Sequence, residues 1–188
     1  MQLSSTSSFV DRVIGAIRLD PATYEAVEHD TDATWQAALV VVVAAICTGV
    51  GSSGGQTRGL LGGVFASLVF WAIFALFAYL VGAYLLRGPQ TSATFGEVLR
   101  ALGFSYAPSF VAILGLIPGI GFLFTFIAAV WSLIASVIAL RQSLEVSTGR
   151  AVAVVVVAFL AMFIVVAVIV AVLGITIAGV DRLTPRPT

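Results

Sequence analysis

Glu25 and His29 stand four residues apart, the spacing that places two metal ligands on one face of a helix. A metal site needs three or four ligands, and the further donors in reach are the neighbouring acids Glu28, Asp30 and Asp32. The pattern reads as a solvated acidic helix. His29 is the only histidine, so no serine or cysteine elsewhere can be paired with an imidazole base. Gly49–Gly54, GVGSSG, fits G-x-G-x-x-G letter by letter, but that fingerprint cradles a pyrophosphate only between a strand and a helix. Here it follows an apolar run and opens a glycine-serine turn, so no nucleotide is expected. Cys47, the single cysteine, lies in an apolar run and reads as a small buried hydrophobe. The nine basic residues are all arginine, and the absence of lysine and asparagine excludes Schiff-base chemistry, a Walker lysine and N-linked glycosylation. No catalytic or metal-ligating residue is expected, and the chain reads as a non-enzyme.

Composition explains why. Hydrophobic residues make up 60% of the 188, charged residues 10%, and the mean hydropathy is +1.13, against roughly 45–50% and 25% in soluble domains. A soluble fold could not hide that much apolar surface. The formal net charge is zero and no basic block exists, so nucleic acid has no electrostatic footprint. The expected fold class is all-α: a polytopic transmembrane helix bundle of about five spans, the third broken by proline, preceded by two short amphipathic surface helices.

The chain opens with Met1–Ser7, small and polar, with no positive n-region and no apolar h-region in range, so a cleaved signal peptide is not expected. Over Ser8–Leu19, Phe9, Val10, Val13, Ile14 and Ile17 share one helical face, which predicts an in-plane surface helix. Asp20-Pro21 is an N-cap followed by proline at the first helical position, predicting a second short helix from Pro21 to about Asp30. Four long apolar runs follow: Ala33–Val50, with Asp32 as N-cap and Trp35 at headgroup level, then Leu60–Leu86, Phe122–Leu140 and Ala151–Ile177. Residues 1–32 are thus an interfacial segment, 33–178 the transmembrane domain and 179–188 a polar tail.

Thr94–Gly121 is the segment around which the rest is organised. Thr94 and Glu97 form a T-x-x-E capping box, which starts a helix. Phe95, Val98, Leu99, Leu102 and Tyr106 fall on one side with Glu97 and Arg100 off it, placing this turn at the membrane surface, where Glu97 and Arg100 could pair. Beyond Pro108, only Ser109–Ile117 precedes Pro118, too short to cross a bilayer alone. The segment either crosses with a kink or re-enters. With five spans and a cytoplasmic N-terminus, Arg12, Arg18, Arg87, Arg100, Arg141 and Arg150 share one side, against Arg58, Arg182 and Arg186 on the other. A re-entrant third segment would reverse the sides of everything after it and put Arg141 and Arg150 outside; five spans are favoured. The expected location is a bacterial cytoplasmic (inner) membrane, N-terminus cytoplasmic and C-terminus periplasmic.

The four clear spans carry no ionisable side chain, which disfavours an ion-coupled pump. Small residues suggest helix packing instead: Gly59 and Gly63 as G-x-x-x-G, Gly115 and Gly119 across Pro118, and a stripe of Ala75, Ala78 and Gly82. The aromatics of the second span, among them Phe65, Phe70, Trp71, Phe74 and Tyr84, could face lipid, a partner, or a flat quinone or pigment.

Four stretches, TFGEVLRALGFSYAP (Thr94–Pro108), GLIPGIG (Gly115–Gly121), VWSLIASVIALRQ (Val130–Gln142) and STGRAVAVVVV (Ser147–Val157), resemble the bacterial branch of the Yip1 family of five-span membrane proteins. The likeness covers most of Asp20–Leu173. Eukaryotic members of that family are associated with vesicle trafficking and prenylated small GTPases and carry a long cytosolic region before the first span. Only about 35 residues stand there in this chain, which puts the GTPase role in doubt. The resemblance implies no reaction and no catalytic residue.

Three functions are compatible with these residues. The favoured expectation is an accessory subunit packing on a larger membrane assembly, respiratory or photosynthetic, through its span faces and its tails. The others are a free-standing Yip1-like protein of membrane organisation or trafficking, and a transporter or channel for a neutral or lipidic solute through the Pro108–Pro118 break. No cofactor is expected beyond a bound lipid, quinone or pigment. Partners are membrane lipids and other membrane subunits.

Overall fold

A computed structural model describes residues 8–89 and 91–183, without the side chains of 169–170 and 172–183. The expected tail contacts at 1–7 and 184–188 lie outside the described residues. Seven α-helices, and no strand among the described residues, follow in order: α1 Phe9–Ile17, α2 Pro21–His29, α3 Ala33–Ser52, α4 Leu60–Leu80, α5 Phe95–Phe104, α6 Gly121–Ser143 and α7 Thr148–Leu183. One π turn, Val81–Leu85, extends α4, and a 3-10 helix, Ala107–Leu116, extends α5.

Five stretches are long and apolar enough to cross a membrane: α3, α4 with its π turn, Phe95–Leu116, α6, and Thr148–Val168 of α7. They alternate in direction. The start of α3 meets Gly103 through Ala37, while its end meets Ala112 and Gly115 through Gly51, so the third segment runs alongside α3 from one end of the bundle to the other. Ten α-helical residues at about 1.5 Å and ten 3-10 residues at about 2.0 Å give a contour of about 35 Å, enough for a hydrocarbon core of about 30 Å. The broken segment therefore has the length and direction of a crossing, not of a re-entrant loop.

Its local chemistry explains the break. Pro108 has no N–H to donate to the carbonyl four residues back and its ring crowds that turn, so the α-helix ends at Phe104. Ser105 N–H is shared between Ala101 and Leu102 carbonyls, and Tyr106 N–H reaches Gly103. The chain resumes with the tighter 3-10 winding at Ala107. Before Pro118, Ile117 is pushed to an extended conformation (φ −75°, ψ 115°), and Gly119 supplies φ +85° for the turn into α6.

The central place of this segment differs from the surface position expected of its first turn. Val98, Ala101, Leu102 and Phe104 are fully buried, and Arg100 is 8% exposed. Small neighbours allow it. A Cβ on Gly103 would come within 2.6 Å of Ala37 Cβ, one on Gly51 within 1.9 Å of the Ala112 carbonyl oxygen, and one on Gly121 within 2.0 Å of the Gly115 carbonyl oxygen. Ala75 and Ala78 on α4, and Ala135 and Ala139 on α6, complete this core. In lipid, such backbone approach supplies the packing that the hydrophobic effect supplies in water.

Three further details depart from the sequence reading. Asp32 does not cap α3 with its side chain; Asp30 organises that turn, its carboxylate accepting from Asp32 N–H and its carbonyl from Ala33 N–H. Trp71 is buried, its indole N–H donating to the Leu99 carbonyl at 3.0 Å, so it belongs to the core and not to the lipid face. Gly59 and Gly63 meet nothing within 4 Å inside the protein. Gly59, at φ +83°, precedes α4 as a turn residue, and Gly119 does the same before α6.

These contacts separate glycines that only a hydrogen can fill from those with room. Gly51→Ala forces a methyl against backbone and should cost about 1–3 kcal/mol, seen as a lowered thermal midpoint in detergent. Gly62, with nothing within 4 Å, should accept alanine without loss. Equal melting of the two variants would overturn this account of the core.

Candidate functional site

The polar end of the bundle is where α1, α2, the start of α5 and the end of α6 converge. A capping box begins α1: Ser8 Oγ accepts from Asp11 N–H at 3.2 Å, and Asp11 accepts from Ser8 N–H at 3.1 Å. Arg12 on that helix is 9% exposed and bonds Asp30 at 2.6 Å and Gln36 at 3.2 Å, tying α1 to the α2–α3 turn. The same hydrogen bond holds the Asp30 carboxyl below its usual range. Tyr24, fully buried, donates its hydroxyl to the Ala16 carbonyl at 3.0 Å, and burial raises its pKa.

Arg100 closes the arrangement from α5. Its Nε donates to the carbonyls of Val27 at 3.3 Å and Glu28 at 3.1 Å, and its Nη2 also reaches the Glu28 oxygen. These belong to the last turn of α2, where helix carbonyls lack intrahelical partners and the dipole favours a cation. Glu97 serves the capping box with Thr94, accepting from Thr94 N–H at 2.8 Å while Thr94 Oγ1 accepts from Glu97 N–H at 3.4 Å. The expected Glu97–Arg100 pairing is thus replaced: each side chain is claimed by backbone.

Glu28 is the odd group here. It is 5% exposed, its Oε2 has no hydrogen-bond partner, and its Oε1 lies 3.6 Å from His29 Nε2. Burial first, then the charges of Glu97, Glu25 and Glu145 against that of Arg100, push its pKa up to about 7. It shares a shallow cavity of about 360 Å3 with Glu25, His29, Arg141, Gln142 and Glu145. Among the described residues no three His, Cys, Asp or Glu side chains are grouped to hold a metal ion.

A second region lies within the spans, toward the opposite end. A cavity of about 470 Å3 opens between α4 and the wall made by α3, the 3-10 helix and α6; Arg58, Gly63, Ser67, Tyr106 and Thr125 are among its lining residues. Another of about 330 Å3, lined by Phe70, Phe74, Leu133 and Phe159, shares Tyr106, Ser109 and Ala129 with the first. Ser109 and Ser132 pair their hydroxyls at 2.7 Å in that shared wall. Pro108 begins the 3-10 helix that forms it, and Pro118 turns the chain beyond it. Gly82 packs at the polar end, where a Cβ would meet Leu144 at 2.3 Å, and Gly115 lies against Gly51.

These elements, five alternating spans with a buried proline-broken third, can be set beside known families. The model of the Yip1 domain matches residues 14–170. The chain belongs to the Yip1 family. The matched region takes in α1 from its middle, the Arg12–Asp30 partner on α2's end, and all but the last part of α7. No curated protein and no solved structure matches this Yip1 chain.

Sequence alone passes over two residues of the polar end. Ser8 and Asp11 carried a readable signal, S-x-x-D before an apolar face. The Arg100 contacts span 72 and 73 positions and had none.

Two measurements test the polar end. Arg100→Met removes the donors and leaves two α2 carbonyls unpaired, costing about 1–3 kcal/mol; α2 amides should exchange hydrogen faster while those of α3 and α6 keep their protection. Unchanged exchange in α2 would show that Arg100 does not hold it. For Glu28, a folded pKa of about 7 above the ordinary 4.5 means the folded state binds the proton more tightly. The contribution of Glu28 to stability is therefore fully present below pH 4.5 and is lost as pH rises to about 7. Glu28→Gln should melt higher than wild type at pH 8, with the gap closing toward pH 5; a gap independent of pH would remove the titration.

Proposed function

We propose that this Yip1 protein acts without catalysis, organising the bilayer around it, in a bacterial cytoplasmic membrane with the α1–α2 end in the cytoplasm. One observation carries the reading: α1 is an amphipathic helix held at one end of the bundle, with Phe9, Val13 and Ile17 packed on the core and Val10 and Ile14 turned outward. Val10 is 60% and Ile14 42% exposed, and Trp35, 61% exposed, stacks on Phe9 with ring centroids 6.4 Å apart. Its polar side is fixed by Arg12 to Asp30 and Gln36. Such a helix sinks its apolar face to the level of the headgroups. Because the bundle fixes its depth and there is no counterpart in the other leaflet among the described residues, it adds area to one leaflet only. Arg12, Arg18, Arg100 and Arg141 at the same end support a cytoplasmic position.

The accessory-subunit reading rests on the Gly59–Gly63 face of α4, which meets nothing inside the protein. The transporter reading is weakened by the packing of the Pro108–Pro118 segment, whose backbone abuts that of Gly51 and Gly121 with no room for passage.

Wild-type protein reconstituted into uniform vesicles should shift their size and shape, read by electron cryomicroscopy, in proportion to protein density. The Val10→Glu, Ile14→Glu variant should keep its helical content and melting midpoint and leave the vesicles near their protein-free distribution. Equal deformation by both would sink the proposal.

A further inference from the structure

The cavity beside α4 has a size, a position and a polarity that together select an occupant. It lies among the spans, where the surrounding medium is lipid. The 3-10 helix packs on α3 and α6, and α4 stands off from it; beyond Leu60 at the start of α4, the residues of α4 that line the gap are Gly63 and Ser67, too small to close it. The volume of about 470 Å3 would hold less than about one turn of a helix 10–12 Å across, so a partner helix does not fit. A hydrocarbon chain, far thinner, does.

Polarity changes along the cavity. At the mouth, in the turn between α3 and α4, Arg58 is exposed, and among the described residues no carboxylate lies within ion-pair distance of it. Midway, the half-buried Tyr106 lines the passage, and its hydroxyl makes no hydrogen bond with the described residues. Deeper, the second cavity is walled by the rings of Phe70, Phe74 and Phe159, with Phe74 and Phe159 centroids 4.6 Å apart. A cation at the surface, a hydroxyl at the waist and an aromatic pocket at depth match the order of parts in a membrane lipid.

The geometry points to a binding site for one membrane lipid, its anionic head group on Arg58 and one hydrocarbon chain passing Tyr106 into the aromatic pocket. The unpaired Tyr106 hydroxyl can donate to an ester oxygen of that lipid, removing the cost of a bare polar group within the bilayer. The site is distinct from the α1 wedge, which touches the 3-10 helix but contributes no residue to the cavity lining, so either can fail alone.

Native mass spectrometry of the full chain, extracted from its own membranes in mild detergent, reads the retained lipid directly. Wild type should hold one lipid of anionic class per chain. Gly63→Leu, whose Cβ meets no protein atom within 4 Å, places its side chain in the cavity and should cut the retained fraction about tenfold with the melting midpoint unchanged. Should that variant fail to fold, Ala129→Leu closes the same cavity from α6. Arg58→Gln should keep a lipid but lose the preference for phosphatidylglycerol over phosphatidylcholine vesicles that wild type shows. Undiminished lipid in the cavity-filled variant, no head-group preference in wild type, or a polypeptide retained in place of lipid would each overturn the assignment.

Discussion

The structure depends on backbone touching backbone along the third segment. A helix broken twice by proline exposes carbonyls and amides that lipid cannot satisfy, and irregular backbone survives at membrane depth only where protein surrounds it. Here α3 and α6 close on the 3-10 helix through Gly51, Gly115 and Gly121, with carbonyl oxygens where any side chain would stand. That contact decides the rest. α3 and α6 are held to the segment, so α5, which continues it, is drawn into the bundle's centre, and α7 is left to pack on the outside of α4 and α6.

The same centre explains why the two ends differ. At the polar end, α5 brings Arg100 into a site closed off from water, and a guanidinium there needs acceptors. The last turn of α2 has them, and α2 is thereby docked, with α1 docked in turn by Arg12 on Asp30. At the opposite end the 3-10 helix is thin and already engaged on both flanks, and nothing large projects from α4 toward it. A tightly packed end and an open end follow from one segment that is wide at its start and narrow at its finish.

Much of this was legible in the residues. The capping box at Thr94 and Glu97, the proline punctuation and the four long apolar runs each rest on local rules, and their elements are where those rules put them. What was not legible is of two kinds. Helix stops at Leu19 and Glu145 lie in the left-handed region, φ 61° and 51°, where glycine would have announced the turn and these residues do not. The face each span turns inward could not be read either: Gly59 and Gly63 look like a packing motif yet touch nothing, while Gly51 and Gly121 belong to no packing motif and carry the closest contacts. Small residues permit approach, and only the neighbouring chain decides whether approach occurs.

Absence of charge in the middle of the spans is sometimes read as absence of function, but in this fold it follows from what the interior has to do. A proton or ion path needs polar groups in a continuous line, and the line available here is already occupied by backbone in van der Waals contact. Two groups of polar side chains stand out. One is the set of arginines and acids that fixes α1 and α2 against the bundle. The other is the row of hydroxyls along the 3-10 helix and α6, where Ser109 and Ser132 satisfy one another and Tyr106 is left over. An unpaired hydroxyl in lipid costs free energy whenever nothing accepts from it. Phenylalanine at position 106 would fill the same space without that cost, and the oxygen there, open to the cleft, can donate to an acceptor that enters it.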